Sequence, residues 1–150
     1  MGVLTRAVGD TLHTELASTL PNLRLGYMIG DRWTVHLLLP GTPYRQGGQR
    51  RGFEGILLAG QYWPRDAWWV LAGAGAALDF PAFWTVEDPA AADFRTGMPA
   101  FTFATGYEVW RKNSFVLDLQ YRLYAGQIGP AGGTPWQGLS NMIMLGINWY

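Results

Sequence analysis

Within "SFVLDLQYRLYAG", an acid, an amide and a base take alternate positions: Asp118, Gln120 and Arg122. Phe115, Leu117, Leu119, Tyr121 and Leu123 fill the positions on the other parity, so a strand here would carry a polar face and an apolar one. "MPAFTFATGYEVW" repeats the pattern, with Glu108, Thr102, Ala104 and Gly106 set against Phe101, Phe103, Tyr107 and Val109. A hairpin centred on Lys112 places Glu108 opposite Val116 and Arg122 opposite Thr102. Glu108 and Asp118 then become diagonal neighbours. Two carboxylates that close need a cation. Arg122 is on the same strand, and Arg24 in "NLRLGYMI" and His36 in "WTVHLLL" lie off the apolar faces of their own segments. The six residues Arg24, His36, Glu108, Asp118, Gln120 and Arg122 read as a hydrogen-bonded charge network. A proton or ion path along the same groups is the alternative.

Other chemistry has weaker support. Ser140, His13 and Glu15 are the residue types of a nucleophile, its base and an orienting acid, but no His-x-Ser stretch accompanies them. The two histidines are 23 positions apart and have no clustered carboxylate, so no metal site is expected. "GAGAAL" from Gly73 lacks the GxGxxG spacing of a phosphate loop and reads as small residues easing strand packing. No cofactor and no enzymatic activity are expected.

Composition limits the partners. Eleven basic residues balance eleven acidic ones, which leaves no basic stripe for nucleic acid. Charged residues are 15% of the chain, against roughly 25% in ordinary globular domains. There are 20 glycines, and aromatics make up 15%. With no cysteine a disulfide scaffold is excluded. No apolar run reaches the roughly 18 residues of a transmembrane helix, and Arg6 and Asp10 interrupt the place of a signal-peptide core. Residues 1–150 read as one domain.

Seven strands are legible from Asn22 onward, and an eighth is expected within residues 2–20, either at "GVLTRAVG" or nearer Thr11 to Thr19. "GFEGILLAGQYW" and "AWWVLAGAGAAL" are apolar on both faces, so their orientation stays open. Three polar connections, 30–32, 64–66 and 111–113, have the length of a tight hairpin loop. They pair Ile29 with Trp33, Tyr62 with Trp68 and Val109 with Phe115. The alternate connections are long: "PGTPYRQGGQRR", "DFPAFWTVEDPAAADFRTG" and "QIGPAGGTPWQ". All tight turns therefore lie at one end of the sheet and all long loops at the other.

Aromatic residues gather at the tight-turn end: Trp33, Tyr62, Trp63, Trp68, Trp69, Trp110, Phe115, Trp149 and Tyr150. A core-filling indole has no reason to prefer one end, whereas an interfacial one suits the layer between hydrocarbon and water. The sixth and seventh strands are also long enough to cross a bilayer.

From Asn22 to Tyr150 the chain resembles the small eight-stranded outer-membrane β-barrels of the OmpA/OmpX-like kind. The resemblance implies an all-β, antiparallel, up-and-down transmembrane barrel of eight strands, with periplasmic turns, extracellular loops and a lumen filled by side chains. It implies a monomer integral to a bacterial outer membrane, in contact with lipid and lipopolysaccharide, with a membrane-structural or surface-interaction role. It also implies that Tyr150 is the terminal aromatic read by the outer-membrane assembly machinery. Asn148 and Gly146 stand where such barrels place apolar residues, while Ile143, Leu145, Ile147 and Trp149 have the opposite parity. The other readings are a lipid A deacylase-like enzyme on the same barrel, a narrow ion-conducting pore, and a soluble calycin-like binding barrel.

Overall fold

The structure is a computed structural model that describes residues 1–19, 22–81, 93–130 and 134–149. Ten strands follow in order: β1 (Gly2–Val8), β2 (Thr11–Ala17), β3 (Leu23–Met28), β4 (Trp33–Leu39), β5 (Gly41–Gln46), β6 (Gln49–Arg65), β7 (Trp68–Pro81), β8 (Arg95–Lys112), β9 (Phe115–Ile128) and β10 (Trp136–Trp149). They form a single antiparallel sheet in the order β2-β1-β10-β9-β8-β7-β6-β4-β3, with β5 also paired to β6. The connectivity is up-and-down.

Ten strands replace the eight expected, because two stretches read as long loops are themselves paired. Residues 2–17 form a hairpin whose turn contains Gly9 at φ 56°, a left-handed conformation that glycine adopts without steric cost. "PGTPYRQGGQRR" contributes β5 and the start of β6, turning at Gly47 and Gly48, both at positive φ. Pro40 separates β4 from β5. It has no N–H for the ladder, yet its carbonyl accepts from Gly55 N at 3.0 Å, so both segments stay on β6.

Two of the three tight connections are shorter than expected. Ile29 N does donate to Trp33 O at 2.7 Å, as a three-residue loop requires. In the β6–β7 hairpin Tyr62 pairs with Val70 rather than Trp68, and a bulge between Tyr62 and Arg65 leaves a turn at Asp66-Ala67, with Ala67 at φ 66°. In the β8–β9 hairpin Lys112, not Val109, pairs with Phe115, and Asn113 takes φ 54°. A bulge between Glu108 and Trp110 shifts that register, so Glu108 stands directly opposite Asp118 and Arg122 opposite Ala104.

The sheet curls. Its path makes eight inter-strand steps, about 38 Å if laid flat at about 4.8 Å each. Yet the path begins at β2 and ends at β3, which are consecutive in the chain. The link from Ala17 to Leu23 reaches at most about 21 Å, at roughly 3.5 Å per residue. Side chains from distant strands accordingly meet inside, as in Thr42 Oγ1 with Ser140 Oγ at 2.8 Å. The hydrogen-bonded path is nonetheless not closed. β2 meets β5 only through side-chain contacts such as Glu15 Oε2 accepting from Arg45 N at 3.4 Å, and no ladder joins β3 to β10 among the described residues.

Candidate functional site: a polar interior behind an apolar face

Strand alternation sends one set of side chains inward and the other outward. On β9 Val116, Asp118, Gln120, Arg122 and Tyr124 are buried, while Phe115, Leu117, Leu119 and Tyr121 are exposed. On β10 Ile143, Leu145, Ile147 and Trp149 are exposed and Asn148 is buried. On β9 the charged groups are inside, and on both strands most of the aliphatic ones are outside.

Asp118 is the centre of the inner cluster at the turn end. It is fully buried and accepts from Asn148 Nδ2 at 2.8 Å, Trp69 Nε1 at 3.2 Å, Gln120 Nε2 at 3.2 Å and Arg24 Nη2 at 3.5 Å. A buried carboxylate is costly unless its oxygens are paired in this way. Arg24 also donates to Gln61 Oε1 at 3.1 Å and lies 5.4 Å from the Trp69 ring centroid. Arg122 donates to Gln120 Oε1 at 3.2 Å and to Asn22 Oδ1 at 3.4 Å. Gly146 makes the space, since a Cβ there would lie 2.0 Å from Asp118 Oδ1. Gly106 does the same for Trp69, whose ring would be 2.3 Å from an added Cβ.

Glu108 belongs to a separate group nearer the turns. It accepts from Trp63 Nε1 at 3.0 Å and Arg111 Nε at 3.2 Å. A cavity of about 720 Å³ opens beside it, lined by Asp31, Arg32, Asp66 and Arg111 among others. Glu108 and Asp118 are thus cross-strand partners with separate sets of donors. His36 is buried, with the Gln61 side chain beside it.

A second polar cluster occupies the other end, and the sequence reading missed it. Asp79, fully buried on β7, accepts from Tyr44 Oη at 2.7 Å and Arg51 Nε at 2.8 Å, with Arg95 Nη1 at 3.9 Å from its second oxygen. Burial, then the Asp79 charge and hydrogen bond, push the Tyr44 phenol well above its ordinary value. Arg6 bridges Glu15 Oε1 and Arg45 O, both at 3.2 Å, and lies 4.2 Å over the Tyr44 ring. Residues 44, 51 and 79 fell in stretches taken as loops or strand ends, so no alternation was there to mark them as facing inward. Between the clusters Leu38 on β4, Leu57 and Phe53 on β6, Leu71 on β7 and Tyr124 on β9 face inward, with Thr42, Thr102 and Ser140 buried among them. Phe53 packs on Tyr124 with ring centroids 4.7 Å apart.

The aromatic set divides. Trp33, Trp68, Trp110, Phe115 and Trp149 are exposed on the outer face, and Tyr62 is half-buried beside Trp33 at 4.6 Å. Trp63 and Trp69, grouped with them in the sequence reading, point inward to Glu108 and Asp118. Tyr62-Trp63 and Trp68-Trp69 are adjacent pairs, and neighbours on a strand cannot both face out. Trp110 is outward because of the bulge after Glu108. Tyr150 lies outside the described residues.

Ser140 is buried against Thr42, Glu15 is salt-bridged to Arg6, and His13 is exposed. Among the described residues no group of three or more His, Cys, Asp or Glu side chains could hold a metal ion.

The fold and its interior define the class as a curled, antiparallel, up-and-down β-sheet with a polar inside and an apolar outside. Comparison with known protein families, with curated proteins and with solved structures finds no match for the chain.

Proposed function

We propose that this chain is a small β-barrel of a bacterial outer membrane, resembling the OmpA/OmpX-like kind, with a membrane-structural or surface-interaction role and no catalytic activity. One observation carries the reading: burial is inverted relative to a water-soluble domain. Arg6, Arg51, Arg95, Arg122, Asp79, Asp118 and Glu108 are inside, whereas Leu25, Leu58, Phe101, Leu119, Ile143, Leu145 and Ile147 are outside. In water such a face is an aggregation surface; against lipid tails it is the required one. The exposed indoles at the turn end suit a headgroup layer.

The large side chains Leu38, Phe53, Leu57, Leu71 and Tyr124 that fill the interior between the two polar clusters favour a plugged interior over an ion path. The long connections would face the exterior and meet lipopolysaccharide or a partner, and the C-terminal strand would be the part handled by the assembly machinery.

The test is to refold the chain in detergent and run it unboiled and boiled on SDS gels. Two mobilities, with resistance of the unboiled form to protease, support the barrel. A folded monomer in plain buffer overturns the reading.

A further inference from the structure

Tyr44 and Arg51 are cross-strand partners on β5 and β6, and both are buried. The next pair toward the turn, Arg45 opposite Arg50, therefore faces outward, and both residues are exposed. Like charges placed directly opposite repel and weaken a hairpin. The same outward row runs toward the apolar band, with Pro43 opposite Gly52 and Gly41 opposite Glu54. Glu54 is half-buried and folds back over Gly52, where an added Cβ would lie 2.6 Å from Glu54 Oε1. Its carboxylate thus leans along β6 toward the two arginines. All 11 lysines and arginines of the chain are among the described residues, and none forms an ion pair with Glu54.

Hydrocarbon surrounds the acid on the other sides. Phe80, opposite Gly52 on β7, stacks on Phe94 with ring centroids 5.6 Å apart. Past Glu54 the next outward positions of β6 are Ile56 and Leu58, both exposed. Read down β6, the patch offers guanidinium, then carboxylate, then aliphatic surface.

We propose that this patch holds a lipid whose headgroup carries both a phosphate and a primary amine. The phosphate lies between Arg45 and Arg50, the ammonium on Glu54, and the acyl chains along Ile56 and Leu58. The proposal rests on the membrane reading and deepens it by naming a lipid. Phosphate oxygens accept from both guanidiniums and offset their repulsion. An ammonium supplies the charge that Glu54 lacks, with N–H donors for the carboxylate oxygens. A purely anionic headgroup would set a second negative charge against Glu54, and a quaternary ammonium has no N–H to donate. The spacing suits one headgroup, since Gly52 is about 7 Å from Arg50 along the strand, within the combined reach of an arginine side chain and a phosphoethanolamine group.

The test incubates the detergent-folded chain with equal amounts of phosphatidylethanolamine, phosphatidylglycerol and phosphatidylcholine bearing the same acyl chains, and counts retained lipid by native mass spectrometry. Phosphatidylethanolamine should be retained over each of the others by at least about fivefold, the size of one exposed charge contact. Glu54→Gln should abolish the preference over phosphatidylglycerol while retention of lipid persists. Gly52→Ala displaces the carboxylate without changing charge and should do the same. Arg45→Gln combined with Arg50→Gln should lower retention of both phosphatidylethanolamine and phosphatidylglycerol. Equal retention of the three lipids by the wild type, or a preference that survives Glu54→Gln, overturns the proposal. Undiminished retention by the double arginine variant does so too. Displacement of the lipid by free phosphoethanolamine at the same concentration would show that the acyl chains contribute nothing, and the lipid assignment falls. Gel mobilities report barrel formation separately, so a folded barrel without lipid preference sinks this proposal alone.

Discussion

Asn148 donates its side-chain amide to Asp118 at 2.8 Å, from the penultimate described position of β10 to the buried carboxylate of β9. The residue that breaks the apolar parity of the C-terminal strand is therefore a donor to a fully buried acid of the interior. Gly146, two positions earlier, has no side chain because Asp118 occupies the space. The series Ile143, Leu145, Ile147, Trp149 takes the outer face as a consequence.

Asp118→Ala should destabilise the fold by about 3–5 kcal/mol, because it strands Arg24 without its counter-charge. Asn148→Leu removes one donor to a charged acceptor and should cost less, about 1.5–3 kcal/mol. Urea unfolding of the detergent-refolded chain gives both values. Equal losses would argue against Asp118 as the centre of the cluster.

Two glycine substitutions should separate close approach from mere strand propensity. Gly146→Ala and Gly106→Ala drive a methyl into Asp118 and Trp69, and each should cost about 1–3 kcal/mol. Gly60→Ala meets nothing within 4 Å and should be neutral or slightly stabilising. Thermal unfolding of the three variants side by side checks this.

Charge on the outer face should matter only in lipid. Leu119→Arg should lower stability in bilayers by about 2–4 kcal/mol if that position lies near the midplane. In a soluble barrel the same exposed position would tolerate arginine. Refolding yield into liposomes of wild type and variant is the measurement.

Alkaline stability should depend on Tyr44, whose segment, β5, bears no exposed large apolar side chain. Its folded-state value lies above the ordinary tyrosine value, so the phenol stays protonated in the fold when it would ionise in the unfolded chain. Its contribution is complete below the unfolded value of about 10 and is lost as pH rises beyond it. Tyr44→Phe should be less stable than wild type at neutral pH and should flatten the decline above that value. Unfolding midpoints measured across the alkaline range check the sign.

A lipid-borne quencher should distinguish the indoles. Trp33, Trp68, Trp110 and Trp149 are exposed and should lose fluorescence in brominated detergent, while Trp63 and Trp69 are shielded. Removing Trp69 by Trp69→Phe should leave the quenchable fraction larger, and Trp149→Phe should reduce it.

Much of this was legible in the residues themselves. Alternation along β9 separated Asp118, Gln120 and Arg122 from Leu117, Leu119 and Tyr121, because a strand has a local period of two and needs no distant information to sort its faces. The inward placing of Arg24, His36 and Glu108 came from the same rule. Segments apolar on both sides gave no such guide, so Trp63 and Trp69 were misplaced, and β5 was taken for loop because its "GTPYRQ" looks like turn chemistry.

What tertiary structure alone decided was register and depth. Alternation fixes which parity Glu108 belongs to, but the bulge beyond it fixes which residue it meets, and one extra residue in a strand changes every pairing after it. The convergence of Tyr44, Arg51 and Asp79 needed three strands to curl together before any of them had a partner. No single strand carries that information, because a sequence specifies faces locally, whereas hydrogen-bonded neighbours are chosen by the whole sheet.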